Sequence, residues 1–168
     1  TKKVLCLALF VVLTPDLALA AEWRFTPSID LTETYTDNVT LDSGSDKESE
    51  WISQINPAFS LSGNGKELAL TFGYRMQNLL YLGDSDRNNT NHQLNTALTA
   101  TLAPHWLFLD ASSTLNQQVL SPNEKVSIGN ISAISGREDV LTTTVSPYIK
   151  SRLTSWAFTE LRCSHDSV

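Results

Sequence analysis

Lys66–Asp86 reads KELALTFGYRMQNLLYLGDSD, and its alternation decides the fold class. Leu68, Leu70, Phe72, Tyr74 and Met76 take every second position, with Ala69, Thr71, Gly73, Arg75 and Gln77 between them. Period two is the mark of a β-strand, whose successive side chains leave opposite faces of the sheet. One face of this strand is apolar; the other offers an arginine and a glutamine. A soluble sheet resting on a core fits that pattern, and so does a barrel with lipid outside and water inside.

The same period extends in both directions. Upstream, Trp23, Phe25, Pro27, Ile29 and Leu31 alternate with Arg24, Thr26, Ser28, Asp30 and Thr32. After the polar stretch Thr36–Glu50, a second strand sets Trp51, Ile55, Pro57, Phe59 and Leu61 against Gln54, Asn56, Ser60 and Ser62. Gly63–Lys66 (GNGK) reads as a tight turn whose residues tolerate positive φ. Downstream, Leu94, Leu98 and Leu102 oppose Gln93, Asn95, Thr99 and Thr101. A turn at Ala103–His105 leads to a fifth strand from Trp106 to near Val119, and a long connection ends at Arg137. The sixth strand covers Val140 to near Lys150, and a seventh starts at Trp156.

The connections alternate long and short: 36–50, 63–66, 82–90, 103–105, 120–137 and 152–155. A Greek-key sandwich gives no reason for every long loop to fall at one end, whereas an up-and-down meander does. Outer-membrane barrels place short turns on the periplasmic side and long loops outside. The strands read as about ten to fourteen residues, against a soluble mode of ~5–6 and a membrane-strand need of ~9–11. We therefore expect an all-β, antiparallel up-and-down transmembrane β-barrel of the outer-membrane type. Such barrels have an even strand number, so seven strands are expected to be incomplete, the sequence being a fragment of a longer barrel.

Composition bounds the alternatives. The chain has 168 residues, 41% hydrophobic and 18% charged, with a net charge of −6. That balance leaves no basic face to neutralise phosphates, so nucleic acid is not an expected partner. Lys2 and Lys3, the apolar run VLCLALFVVL, and Ala18-Leu19-Ala20 have the layout of a secretory signal peptide at 1–20. The barrel portion is then 21–168. Its single cysteine, Cys163, excludes an intrachain disulfide there.

Aromatic residues fall near both strand ends. Trp23-x-Phe25, Trp106-x-Phe108 and Trp156-x-Phe158 open strands on the short-turn side, and Tyr35, Trp51 and Tyr81 lie near the opposite rim. Two such bands suit the two membrane interfaces, and an ordinary hydrophobic core is the alternative. In strand five, Leu107, Leu109, Ala111 and Leu115 form the smoother apolar face and put Trp106 and Phe108 opposite.

The polar face is mostly amides and hydroxyls. Arg24, Asp30, Gln54, Asn56, Arg75, Gln77, Gln93 and Asn95 are the expected lumen-lining residues. A lining with few charges suits neutral hydrogen-bonding solutes such as sugars better than a selective ion path. No catalytic, cofactor or metal site is expected. Ser164-His165-Asp166 has the letters of a triad, but neighbours on a strand point to opposite faces. Asp84-x-Asp86-x-Asn88 begins like a calcium loop, yet has Asn89 where glycine belongs and no glutamate at the twelfth position.

AEWRFTPSIDLTETYTDNVTL, NPAFSLSGNG, RNNTNHQLN, VSPYIKSRL and SWAFTELRCSHDSV together resemble the PEP-CTERM system-associated outer-membrane β-barrel proteins, which are encoded near exopolysaccharide loci. The similarity spans essentially all of 21–168, with ETYTDNV its most specific part. It implies a barrel of roughly twice this length or more, of which this is the N-terminal portion. It also implies a bacterial outer-membrane location and a porin-like, non-enzymatic role in exopolysaccharide export or assembly. The implied partners are outer-membrane lipid and lipopolysaccharide, polysaccharide, and proteins of the exopolysaccharide system. The rival from another class is a secreted or periplasmic β-sandwich that binds carbohydrate through its aromatic residues.

Overall fold

The structure, a computed structural model, describes residues 22–119, 131 and 137–168. The expected signal peptide and most of the 120–137 connection lie outside these residues. Strand order follows chain order. β1 (Glu22–Thr36), β2 (Glu50–Asn64), β3 (Leu68–Tyr81), β4 (Asn89–Ala103), β5 (Leu107–Val119), β6 (Arg137–Arg152) and β7 (Phe158–Arg162) form one antiparallel meander. β8 (His165–Ser167) also pairs with β6. Among the described residues the eight-stranded sheet is not closed: β1 pairs with β2, β7 and β8 pair with β6, and the two edges do not meet.

β7 and β8 together are the expected seventh strand. Arg162 opposes Tyr148 and His165 opposes Val145, which is one continuous register along β6. The gap between them faces Pro147, which has no N–H to give to the ladder. The Cys163 N–H still reaches the Pro147 carbonyl at 3.0 Å. Pro57 has the same effect in β2, where the paired positions with β3 skip Asn56 and Pro57. The seventh strand begins at Phe158, two residues later than the sequence suggests. Thr154 Oγ1 accepts the N–H groups of Trp156 (3.4 Å) and Ala157 (3.1 Å), which holds Trp156 in the turn.

The other short turns show similar small shifts. β2 continues through Gly63 and Asn64, because these pair with Trp23 and Glu22 of β1. Gly63 is needed for closeness and not for positive φ: a Cβ there would lie 2.5 Å from the Trp23 ring. Positive φ belongs instead to Leu41 (54°), Gly44 (79°) and His105 (73°). At Ala103–Trp106, Pro104 sits where φ near −65° is needed, and His105 takes the left-handed position. The Trp106 N–H closes this turn on the Ala103 carbonyl at 3.3 Å.

The register assigns side chains to faces as far as Leu115 in β5, beyond which the odd-numbered Gln117 bonds Asn91 of the polar face. Odd residues of β1 and β2, even residues of β3 and β4, and odd residues of β5 and β6 share one side. That side is the apolar one. It carries Phe25 (61% exposed), Ile29, Leu31, Trp51, Ile55, Phe59, Leu80, Leu141 and Ile149 in solvent-accessible positions. Glu50, Ile52, Gln54 and Asn56, alternating with them on β2, are buried on the opposite face. The polar face is thus buried at the long-loop end of β2, while on β3 and β4 Ala69, Thr71, Arg75, Gln93, Asn95 and Thr99 of the same face are exposed.

Two buried clusters sit on opposite faces at opposite ends. Leu68, Ala100 and Leu109 pack with Leu98 and Val145 on the apolar face near the short turns. Ile52, Leu79 and Tyr81 pack with Val39 on the polar face at the long-loop end. Tyr81 is therefore not part of an outward aromatic rim; that rim holds Tyr35 and Trp51, their rings 5.2 Å apart. His92, which reads as isolated in the sequence, lies on the apolar face with its Nδ1 2.7 Å from the Tyr74 hydroxyl.

Candidate functional site

The polar face is built by the alternation itself: each strand contributes every second residue, and the antiparallel register lines these up. All eight residues expected to line a lumen fall on this one face. Arg24 and Asp30 come from β1, Gln54 and Asn56 from β2, Arg75 and Gln77 from β3, and Gln93 and Asn95 from β4.

Their surroundings differ. Arg75, Gln93 and Asn95 line an open trough of about 410 Å³ with Thr26, Ser28, Ser60, Gly73 and Asn116. Gly73 deepens it, since an added Cβ would meet only the Asn95 carbonyl at 3.9 Å. Arg24 and Asp30 share the face but lie on the edge strand outside the trough lining. Arg75 is the single charged residue of the lining, which joins hydroxyl and amide side chains to the apolar Ala58, Phe59, Tyr74 and Leu94.

A ladder of amides crosses the face above the trough. Gln117 Nε2 donates to Asn91 Oδ1 (2.6 Å), and Asn91 Nδ2 reaches Gln77 Oε1 (3.5 Å). Gln77 Nε2 then donates to Gln54 Oε1 (3.1 Å). Asn89 Nδ2 adds a bond to Asn91 Oδ1 (3.2 Å). The run spans β5 to β2 and satisfies amides that burial would otherwise penalise, Asn91 being only 2% exposed. Asn56 Oδ1, buried on the same face, has no hydrogen-bond partner among the described residues. Asn91, Asn116 and Gln117 were missed in the sequence. The first has the parity of Gln93 and Asn95, which was the available signal.

Toward the short turns the polar face changes character. Phe108 stacks on Tyr148 with centroids 5.2 Å apart, and the Arg162 guanidinium covers the Tyr148 ring at 4.0 Å. Lys150 Nζ lies 5.1 Å from the same ring. Asp110 accepts from Arg162 Nη1 (2.7 Å), and Glu160 accepts from Arg162 Nε (3.2 Å). This explains the odd parity of strand five: Phe108 points to the polar face because Tyr148 and two cations meet it there.

At the long-loop end, Arg87 donates to Glu48 and pairs through Nε with Asp84 (3.1 Å). The Glu48 hydrogen bond holds the Arg87 pKa above its already high ordinary value. A cation with a raised folded pKa contributes fully below its unfolded pKa and loses that contribution as pH rises through the folded one, so the Arg87 guanidinium stays charged at neutral pH. Asp84 also caps the Ser85–Arg87 turn by accepting from the Asp86 N–H (3.1 Å), and Asn88 Oδ1 accepts from the Tyr81 N–H (2.8 Å). These oxygens serve the loop's own fold. Ser164 Oγ bonds Ser146 Oγ and Asp166 accepts from Thr144, both on the polar face, while the register puts His165 on the other.

Comparison with protein-family models, curated proteins and solved structures found no match to the chain.

Proposed function

We propose that the chain forms wall of an outer-membrane β-barrel of the PEP-CTERM-associated kind, its polar face lining a water-filled interior used in exopolysaccharide export or assembly. One observation carries the reading: long strands leave large apolar and aromatic residues such as Phe25, Ile29, Leu31 and Trp51 exposed on one face, while β2 buries Glu50, Gln54 and Asn56 on the other. Water rewards the opposite arrangement, and lipid rewards this one. The strands have suitable length. From Trp23 to Tyr35 the chain climbs roughly 40 Å at ~3.3 Å per residue. Tilted by ~45°, that is about 28 Å, close to the ~25 Å apolar band that aromatic girdles flank.

The interior chemistry supports a neutral, hydroxyl-rich cargo. Amide and hydroxyl groups match sugar hydroxyls as donors and acceptors, and one arginine in the trough sets no strong ionic preference. The reading requires both open edges to be paired in the membrane, because unsatisfied backbone groups in lipid cost several kcal/mol each.

Fractionation of cells expressing the natural full-length protein tests the placement. Recovery in the outer-membrane fraction, extracted only by detergent, is expected; a monodisperse, detergent-free monomer from the periplasm would instead favour a carbohydrate-binding sandwich. A deletion strain tests the pathway: reduced surface polysaccharide is expected, and unchanged polysaccharide would remove the export role.

A further inference from the structure

We propose that residues 37–49, the first long loop, form an inward-folded constriction that sets the size limit for solutes moving along the polar face. The inference rests on the barrel reading above. Val39 is 1% exposed and packs against Ile52, Leu79 and Tyr81. The register fixes where those three point: Ile52 opposes Tyr81, Gln54 opposes Leu79, and all lie on the polar face. A loop anchored there has crossed the rim to the interior side. A loop standing up into solvent has no use for a buried valine.

The loop also holds its own shape. The Asn38 side chain accepts the Asp42 N–H and donates to the Asp42 carbonyl, each at 2.9 Å. The Val39 N–H bonds the Glu48 carbonyl at 2.8 Å, closing the loop on itself. Its outer end is latched to the second connection by the Arg87–Glu48 ion pair. Where the loop enters β2, Glu50 Oε1 accepts the N–H groups of Trp51 (3.0 Å) and Gly83 (2.8 Å). A Cβ on Gly83 would come within 2.9 Å of that carboxylate and would push the Glu50 side chain aside.

The test uses the natural full-length protein with Cys163→Ser. With Val39→Cys, an impermeant maleimide should label about tenfold more slowly than at Ser45→Cys, as expected of a site reached only by local opening. Adding Arg87→Ala should raise the Val39→Cys rate several-fold. Equal rates at the two positions would overturn the inward fold. In vesicles, Val39→Glu, or replacement of 40–46 by Gly-Ser-Gly, should admit longer neutral oligosaccharides while monosaccharide flux stays near wild type. Monosaccharide flux with an unchanged size limit in both variants would overturn the constriction and leave the channel standing. Vesicles closed to monosaccharides in every form would overturn both.

Discussion

Phe59 and Ser60 are neighbours on β2 and face opposite surroundings. Phe59 stays 37% exposed while its ring meets Phe25, Phe72 and Tyr74 at 5.8, 5.6 and 5.6 Å. Ser60 lines the polar trough with Arg75 and Asn95. Along β1 to β6 the face of Phe59 is mainly apolar and that of Ser60 mainly polar, and the polar face also holds the Ile52–Leu79–Tyr81 cluster. A soluble sheet would put the aromatic cluster against a second layer. Here that cluster stays partly exposed, while Gln54 and Asn91, buried on the other face, are joined through Gln77. The difference teaches that burial in this sheet does not follow hydrophobicity alone: exposed aromatic rings and buried amides share a strand, an arrangement that the proposed barrel would account for.

The comparison breaks most sharply with a charge. Phe59→Arg is expected to destabilise the folded protein in bilayers by about 2–4 kcal/mol, the cost of a cation near the midplane of a lipid-facing strand. Ser60→Arg, one residue along, should cost less than about 1 kcal/mol, because its guanidinium reaches water. Denaturant titration in vesicles measures both; equal costs would mean that the two faces share one environment.

A smaller effect tests the hydrogen-bonded face. Gln77→Leu removes the donor to Gln54 and the acceptor of Asn91, so a loss of about 1–2 kcal/mol is expected. The double variant Gln54→Leu, Gln77→Leu should recover part of that loss, since two apolar groups leave no orphaned amide between them. Additive losses would argue that the ladder bonds contribute independently.

The smallest effect lies where neither face is involved. His105 holds φ 73° in the β4–β5 turn. His105→Gly relieves a left-handed residue at a modest entropic cost, for a net gain of about 0.5 kcal/mol in thermal or denaturant unfolding. A loss would show that the His105 side chain has contacts that matter more than its backbone.

Much of this was legible from alternation. The meander, the long and short connections, and the eight polar-face residues all follow from period two, because a strand's geometry makes parity equal to face. Strand ends were less legible. Gly63 and Asn64 look like turn residues but pair with β1, and Trp156 looks like a strand residue but is held by Thr154. Tyr81 was misplaced on the outward rim although its odd parity matches Gln77; residue type was weighed above register. Val39 had no periodic signal at all. Its burial depends on a loop meeting side chains from two strands, and such non-local packing leaves no pattern in the sequence around it.

The central claim is that the two faces of β3 contact different solvents. A nitroxide scan of positions 69–77 in the full-length protein, reconstituted in bilayers with Cys163→Ser, tests it directly. Labels at Leu70, Phe72, Tyr74 and Met76 should relax with dissolved oxygen and resist a water-soluble nickel complex. Labels at Ala69, Thr71, Gly73, Arg75 and Gln77 should do the reverse, giving an accessibility profile with period two. Equal nickel accessibility at both parities, or greater accessibility at the even positions, would contradict the account.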